Sequence, residues 1–498
     1  MAPSGPRLAR IGILVASLAI CCSSAVRGQA PQEAMQKSAQ ANALMQAGKP
    51  EAALPIYREL VATFPAEPSF RVNLVIAQYK TGLYREAAAE CRILLQRQPA
   101  LFPALLFLGA SHLSLGEASS AIQPLRRALA INPADPNARL MLADALFEHQ
   151  EWKDAAEQYS KASQMMPDGP RVWYGLHRSY AALAAEYRAR LEKEAPGSAE
   201  ALAFSGSFEA ERLQFARAFQ LYRSALARQP AFRGLHGHVA EVYEWTGHPD
   251  WAAAELALER ASVCDSQSPE CDFAAGRIEK AALADASTPS ALYWQGLATQ
   301  VLSQRAYARL QTLPPSRERY EAAAELAERS ARHREAAAAW KEALALAPAD
   351  NGLRRRLALA LCYSNDCGSA LPLLKSLVAG APASAEFNYL CGLALNSVGE
   401  PGSALPFLEA AVQLDGNLTP ARGALGEALL ETGIPERAIP HLEAGLAVDE
   451  KGVRRYQLAR ALRAAGKQQQ SLAMMRQYRA IVARRAAEEK NEPRITPP

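Results

Sequence analysis

An alanine returns every 34 residues along most of this chain. Ala53, Ala87, Ala121 and Ala155 keep that spacing, and the series resumes at Ala218 and Ala252 and again at Ala336, Ala370, Ala404 and Ala438. Prolines twelve residues further on hold the same beat: Pro65, Pro99, Pro133, Pro167, Pro230, Pro348 and Pro382. In the other three units that slot holds Cys264, Gly416 and Glu450. A fixed period in the range of roughly 20–50 residues marks a stacked array of like units, because one such unit cannot bury its apolar face alone. The length fits an array, since 498 residues exceed the roughly 250–300 that a single hydrophobic core can organise.

Each period holds two amphipathic stretches divided by a break such as Gly82, Gly116, Gly247, Gly399 or Gly433. In the second period the first stretch is Phe70–Tyr79 and the second is Tyr84–Arg97, which Pro99 stops. Apolar residues recur at three and four, as in Leu74, Val75 and Tyr79, then Ala87, Cys91 and Leu94. Both stretches therefore read as short helices. The periodic alanine is small where two helices would cross closely. One turn later on the same face stands a larger residue, Tyr57, Tyr159, Tyr222, Trp340 or Leu408. The composition agrees, with abundant Ala, Leu, Glu and Arg, aromatics at 7% and no run of strand-like segments.

A unit of 34 residues with a small eighth residue (Ala41, Gly109, Ala143, Gly206, Ala240, Ala324, Ala358, Gly392, Gly426), alanine near position 20, a bulky residue near 24 and a terminal proline resembles the tetratricopeptide repeat (TPR). The pattern runs from about Ala34 to Tyr478. The resemblance implies an all-α fold, a TPR α-solenoid of about 12 helical hairpins wound as a right-handed superhelix. It also implies a non-enzymatic scaffold. Its concave surface, lined by the first helix of each unit, would bind a partner protein or peptide, and no cofactor is implied.

The departures divide the chain. Four regular units occupy 34–167, and a long helix followed by further units fills 168–264. Between Ala155 and Ala218 one unit is shortened to 29 residues, with no Gly or Pro from Leu176 to Ala195. The beat is lost over 265–290, where loop, a short helix and a bend between two blocks are expected. A second long helix opens the 291–450 segment, and its start, Tyr293-Trp294-Gln295-Gly296-Leu297, echoes Trp173-Tyr174-Gly175-Leu176. Residues 451–489 read as capping helices, and 490–498 as a disordered Pro-rich tail.

Residues 1–30 are of another kind. Arg7 and Arg10 precede an uncharged, mostly apolar run from Ile11 to Cys22, and small residues then lead to Ala25 and Ala30. That is the layout of a secretory signal peptide cut between Ala25 and Ala30, so an exported, periplasmic or secreted protein is expected. Contact with a membrane would come only through retention of this segment, or its lipidation at Cys21. The net charge of +4 falls to +1 once Arg7, Arg10 and Arg27 are gone. Without a concentrated basic stripe, nucleic acid is not an expected partner. In an oxidising compartment Cys264 with Cys271 and Cys362 with Cys367 could be bridged, or all four could be small apolar fillers; Cys91 and Cys391 fall on core positions.

Enzyme signatures are missing: there is no phosphate-cradling glycine loop, no Gly-x-Ser-x-Gly elbow and no His-Glu-x-x-His. The repeats also leave no stretch of about 100 residues for a catalytic domain. His236 and His238 are two apart on a helix and so point to different sides, which makes a metal shared with His248 awkward. Some TPR proteins clamp a peptide's C-terminal carboxylate with two amides and three basic residues. Asn42 and Asn73 match the amides, but Ser38, Pro103 and Phe107 stand at the basic positions, with Lys37 one residue out of register. More promising is an apolar lining on or beside the groove-facing positions of units two to four: Val72, Ile76, Tyr79, Leu106, Phe107, Leu113, Leu140, Met141 and Phe147. Large apolar groups gathered on a surface mark an interaction site. The competing reading is that tight winding, or the N-terminal segment, covers them. Glu318, Glu321, Glu325 and Glu328 line one helix face, either as a solvated ridge or as an attractor for a basic segment.

Overall fold

The computed structural model describes residues 32–259, 268–285, 287–446, 449–490 and 494–498. The signal-like segment and Cys264 lie outside the described residues. Among the described residues there are 26 helices and no strand. None of these helices is long and apolar enough to cross a membrane.

Four hairpins come first: α1 (Gln32–Gln46) with α2 (Pro50–Thr63), α3 (Pro68–Lys80) with α4 (Tyr84–Arg97), α5 (Phe102–Ser114) with α6 (Ala118–Ile131), and α7 (Pro136–Glu148) with α8 (Trp152–Met165). The long α9 (Pro170–Glu194) follows, then α10 (Ala199–Glu211) with α11 (Phe215–Arg228) and α12 (Leu235–Trp245) with α13 (Pro249–Leu256). Two short helices, α14 (Pro269–Ala274) and α15 (Ile278–Ala282), lead into α16 (Pro289–Thr312). The chain closes with α17 (Arg317–Arg329) and α18 (His333–Leu346), α19 (Asn351–Tyr363) and α20 (Cys367–Gly380), α21 (Ala385–Ser397) and α22 (Pro401–Leu414), α23 (Thr419–Glu431) and α24 (Pro435–Gly445), and α25 (Val453–Ala464) and α26 (Gln468–Lys490).

All ten periodic alanines are buried, none more than 1% exposed. Each sits on a second helix where larger side chains would hold neighbouring helices apart. The opposing small residue on the first helix is held by sterics. A methyl group added at Gly109 would lie 2.5 Å from Leu125 Cγ, one at Gly392 2.5 Å from Leu408 Cγ, and one at Gly206 2.5 Å from Tyr222 Cε1. The pairing of a large residue with a small one sixteen positions earlier is thus a volume constraint. In the second hairpin the sizes are exchanged: Val75 fills the first helix, Cys91 takes the bulky slot, and both are buried.

The breaks are C-terminal caps. After α3, Gly82 takes φ 80°, its N–H bonds to Tyr79 O at 3.1 Å and the Leu83 N–H reaches Gln78 O at 2.8 Å. This is the paired bonding that satisfies the last carbonyls of a helix. The same left-handed corner recurs at Gln150, Leu213, Ala331 and Asn365, where no glycine signals it.

The helices form two compact bodies, each drawn from two stretches of chain. The first takes residues up to 190 and 265–314; the second takes 191–264 and 315–498. In the first body α9 runs antiparallel to α16. His177 Nδ1 lies 3.0 Å from the Ser303 carbonyl and 2.9 Å from Ser303 Oγ, and its ring is 5.5 Å from Tyr307. At one end Arg309 donates to Asp168 Oδ1 at 3.0 Å; at the other, Tyr187 Oη donates to Ala282 O at 3.2 Å. The unbroken stretch at 176–195 therefore finds its antiparallel partner 126 residues downstream. The block boundary expected at 265–290 becomes an interleaving, because that segment returns to the first body. The tail expected to be disordered also differs: residues 494–498 are placed against α12, through Tyr243 and Thr496.

Two measurements test this packing. Gly109→Ala forces a methyl into Leu125 and is expected to cost about 1–3 kcal/mol, whereas Gly402, also helical, has nothing within 4 Å of the added carbon. Gly402→Ala should therefore raise the thermal midpoint, by the roughly 0.5–1 kcal/mol a helical glycine loses to alanine. Equal shifts at both sites would show that the small-residue seat is not steric. Burial pushes the Tyr57 hydroxyl up to about 12 and the Tyr187 hydroxyl likewise, and raises Tyr159, Tyr180 and Tyr222 in the same direction. The fold keeps these phenols neutral while an unfolded chain ionises them near pH 10, so their contribution is whole below 10 and lost as pH rises through about 12. Phenolate absorbance should then appear in one step with loss of helical dichroism. A smooth titration near pH 10 with the helices intact would contradict this.

Candidate functional site

Successive first helices touch one another: α3 meets α5, and α5 meets α7. This places them on the inside of the local curve. Along α3 the inward register holds Val72, Ile76 and Tyr79; along α5, Leu106, Ala110 and Leu113; along α7, Leu140, Asp144 and Phe147. Spacings of three and four keep each set on one face.

Of the nine apolar residues expected to line a groove, five are committed to packing. Leu113 is 1% exposed and Met141 2%, and Val72, Tyr79 and Phe107 are also buried. The Tyr79 ring meets Phe107 edge-on at 5.5 Å and Tyr84 at 5.3 Å, with its hydroxyl 3.2 Å from Ser114 Oγ. Neighbouring hairpins thus cover much of what the sequence suggests is an open lining. Ile76, Leu106, Leu140 and Phe147 remain half-buried and form the accessible part of the stripe.

A charged cluster adjoins them. Asp144, on the groove register between Leu140 and Phe147, is buried; it accepts from Tyr159 Oη at 2.5 Å and pairs with the Arg171 guanidinium at the start of α9. Arg178 stacks over Phe147 at 4.3 Å and over Tyr174 at 5.3 Å, a cation–π arrangement. Burial raises the Glu148 carboxyl, against the lowering effect of Arg178 and with the help of Asp144. The inner face thus offers aliphatic anchors at one end and an aromatic surface crossed by paired charges at the other. Sequence reasoning missed Asp144, Arg171, Tyr174 and Arg178. The available signal was a lone acid inside an apolar stripe.

The other candidates find local roles. Asn42 stands in its hairpin where Asp144 stands in the fourth, and accepts from Tyr57 Oη at 2.6 Å, so its carbonyl satisfies a buried phenol. Asn73 is half-buried, and Lys37 turns to Glu59 at 2.8 Å. The three histidines have separate partners. His236 Nδ1 is 2.7 Å from Glu255, His238 stacks on Tyr222 at 5.6 Å, and His248 stacks on Trp251 at 4.1 Å.

Cys362 is paired with Cys367 across the α19–α20 turn, their Cα atoms 4.2 Å apart. Cys271 is buried. Cys91 and Cys391 are free and buried, and burial pushes the Cys91 thiol up to about 12, which leaves it a packing residue. The glutamate ridge of α17 is largely paired internally. Glu321 takes Arg317 at 2.6 Å, Glu325 and Glu328 share Arg356, and Trp340 Nε1 donates to Glu328 at 2.7 Å.

Comparison with known proteins agrees with this geometry. Family models described as tetratricopeptide repeat match residues 38–102 and 355–418 and residues 112–179. The Hsp70-Hsp90 organizing protein of Triticum aestivum is 30% identical over 110 residues, which are 22% of this chain and 19% of that one. The chain thus spans under a fifth of that relative's length. Among solved structures, MamA of Desulfovibrio magneticus is similar at 23% identity and a TM-score of 0.29, over 30% of this chain and 85% of that one. A tetratricopeptide repeat protein of Parabacteroides merdae is similar at 14% identity and a TM-score of 0.33, over 66% and 99%. With its 34-residue beat and buried alanines, and with the family models falling on residues 38–102, 112–179 and 355–418, the chain is built of tetratricopeptide repeats.

Proposed function

We propose that the protein is a non-catalytic scaffold which holds a segment of a partner protein on the inner face of α3, α5, α7 and α9. The observation that carries this is the row of half-buried Ile76, Leu106, Leu140 and Phe147 running into the Asp144–Arg171 pair and the Arg178 stack. Apolar anchors in shallow seats supply area, and a flanking acid–base pair orients what lies on them. The wheat relative is named for organizing Hsp70 and Hsp90, which suits a scaffold, and the chain's own partner is a protein or peptide.

We place the protein outside the cytoplasm on the strength of residues 1–30, whose basic start, apolar run and small-residue exit fit a signal peptide. N-terminal sequencing of the mature chain is expected to start between Val26 and Pro31. A product retaining Met1 or Ala2 would favour a tethered assembly factor instead.

The groove is tested by capture from envelope extracts on the immobilised chain. Because Phe107 is buried, charge is better placed at Ile76 and Leu140. The double variant Ile76→Glu with Leu140→Glu is expected to lose the captured proteins about tenfold or more, as removal of two central anchors does. Ile93→Glu, on the outer helix α4 and 37% exposed, should retain them. Equal capture by both would remove the inner face from consideration.

A further inference from the structure

The end of the chain lies on a surface of the second body. Tyr243 Oη donates to the backbone carbonyl of Thr496 at 2.7 Å. Arg494 and Thr496 form one wall of a hollow whose other side includes Phe219, Arg223 and Ala227 of α11. Phe219 joins this wall to an aromatic cluster. The Tyr243 ring meets Phe219 at 5.5 Å and Trp251 edge-on at 5.6 Å, and Phe215 meets Trp245 at 5.4 Å. Trp245 stays 55% exposed beside this cluster, while Tyr243 is wholly buried.

These features fit the recognition of an extended segment. A phenol that donates to a main-chain carbonyl reads backbone, whatever the side chain. Aromatic surfaces suit proline-containing chains, whose fixed φ keeps them extended and leaves little freedom to lose on docking. The segment reads Arg494-Ile495-Thr496-Pro497-Pro498 and is joined to α26 by residues 491–493. A short tether of this kind presents its ligand at an effective concentration on the order of millimolar. A weak contact in cis therefore suffices to keep the surface occupied.

We propose that the face of α11 and α12 is a peptide-docking site whose intramolecular occupant is the chain's own C-terminal segment. A partner's extended, proline-containing segment then binds there only by displacing residues 494–498. This site shares no residue with the inner face of the first body, so either reading can fail without the other.

The probe is a fluorescein-labelled synthetic peptide with the sequence of residues 491–498. The chain ending at Lys490 is expected to bind it saturably, and the full chain about tenfold or more weakly, since its site is filled by the tethered copy. In the shortened chain Tyr243→Phe should weaken binding about fivefold, the worth of one net hydrogen bond. No saturable binding by the shortened chain, or equal binding by both chains, overturns the proposal. A second measurement keeps the full-length protein. Trypsin cleavage after Arg494 releases the four residues Ile495–Pro498, and mass spectrometry follows their release. Docking slows this cut, so Tyr243→Phe should speed it several-fold with the unfolding midpoint kept; an unchanged rate overturns the proposal equally.

Discussion

Close approach of helices through small side chains is the constraint on which the rest of this structure depends. An alanine at a crossing loses no rotamer freedom on burial, and by itself contributes only a methyl group's worth of apolar area. Its value lies in what it admits. With Ala155 wholly buried, Tyr159 one turn on can reach across the hairpin to Asp144. With Gly109 opposite, Leu125 packs flush against a neighbouring backbone. The constraint acts on the sum of two volumes, which is why Val75 and Cys91 can exchange large and small without breaking the series.

That constraint is periodic, and periodicity is what a sequence displays best. The hairpins, their glycine corners and the buried alanines were all legible, because each depends on residues within one 34-residue unit. The corners at Gln150, Leu213 and Ala331 were not, since a left-handed residue without glycine leaves no local mark. The pairing of α9 with α16 was hidden for a different reason. It joins positions 126 residues apart, and the only trace in the chain was the similar aromatic opening of the two helices.

The candidate site was half legible. Register arithmetic names positions on or beside one face of α3, α5 and α7, yet it cannot say how much of each side chain a neighbouring hairpin covers. Tyr79 and Phe107 cover one another, a contact that depends on the angle between successive hairpins. The polar members were missed because a buried acid is informative only once its partners are known. Asp144 and Asn42 do the same work in their hairpins, each accepting from a phenol fifteen residues on. In the fourth hairpin Arg171 joins the pair, and a structural device acquires charge that faces the inner surface.

The interleaving of the two bodies bears on how the chain reaches its folded state. A simple repeat array can grow from one end, each hairpin resting on the one before. Here α9 emerges long before α16, and the packing of His177, Tyr187 and Asp168 waits on residues 282–309. Residues 191–264, which belong to the second body, must be accommodated in the meantime. Closing so long a loop costs entropy before any contact rewards it. Ten consecutive residues of α16, from Ala291 to Gln300, are buried on every side, so its arrival completes a core that the regular repeats cannot finish alone. The first four hairpins follow nearest-neighbour logic, whereas the end of the first body follows that of a globular domain. The inner face proposed for binding ends where the two meet, at Arg171, Tyr174 and Arg178 on α9, so its charged end is held by the non-local part of the fold.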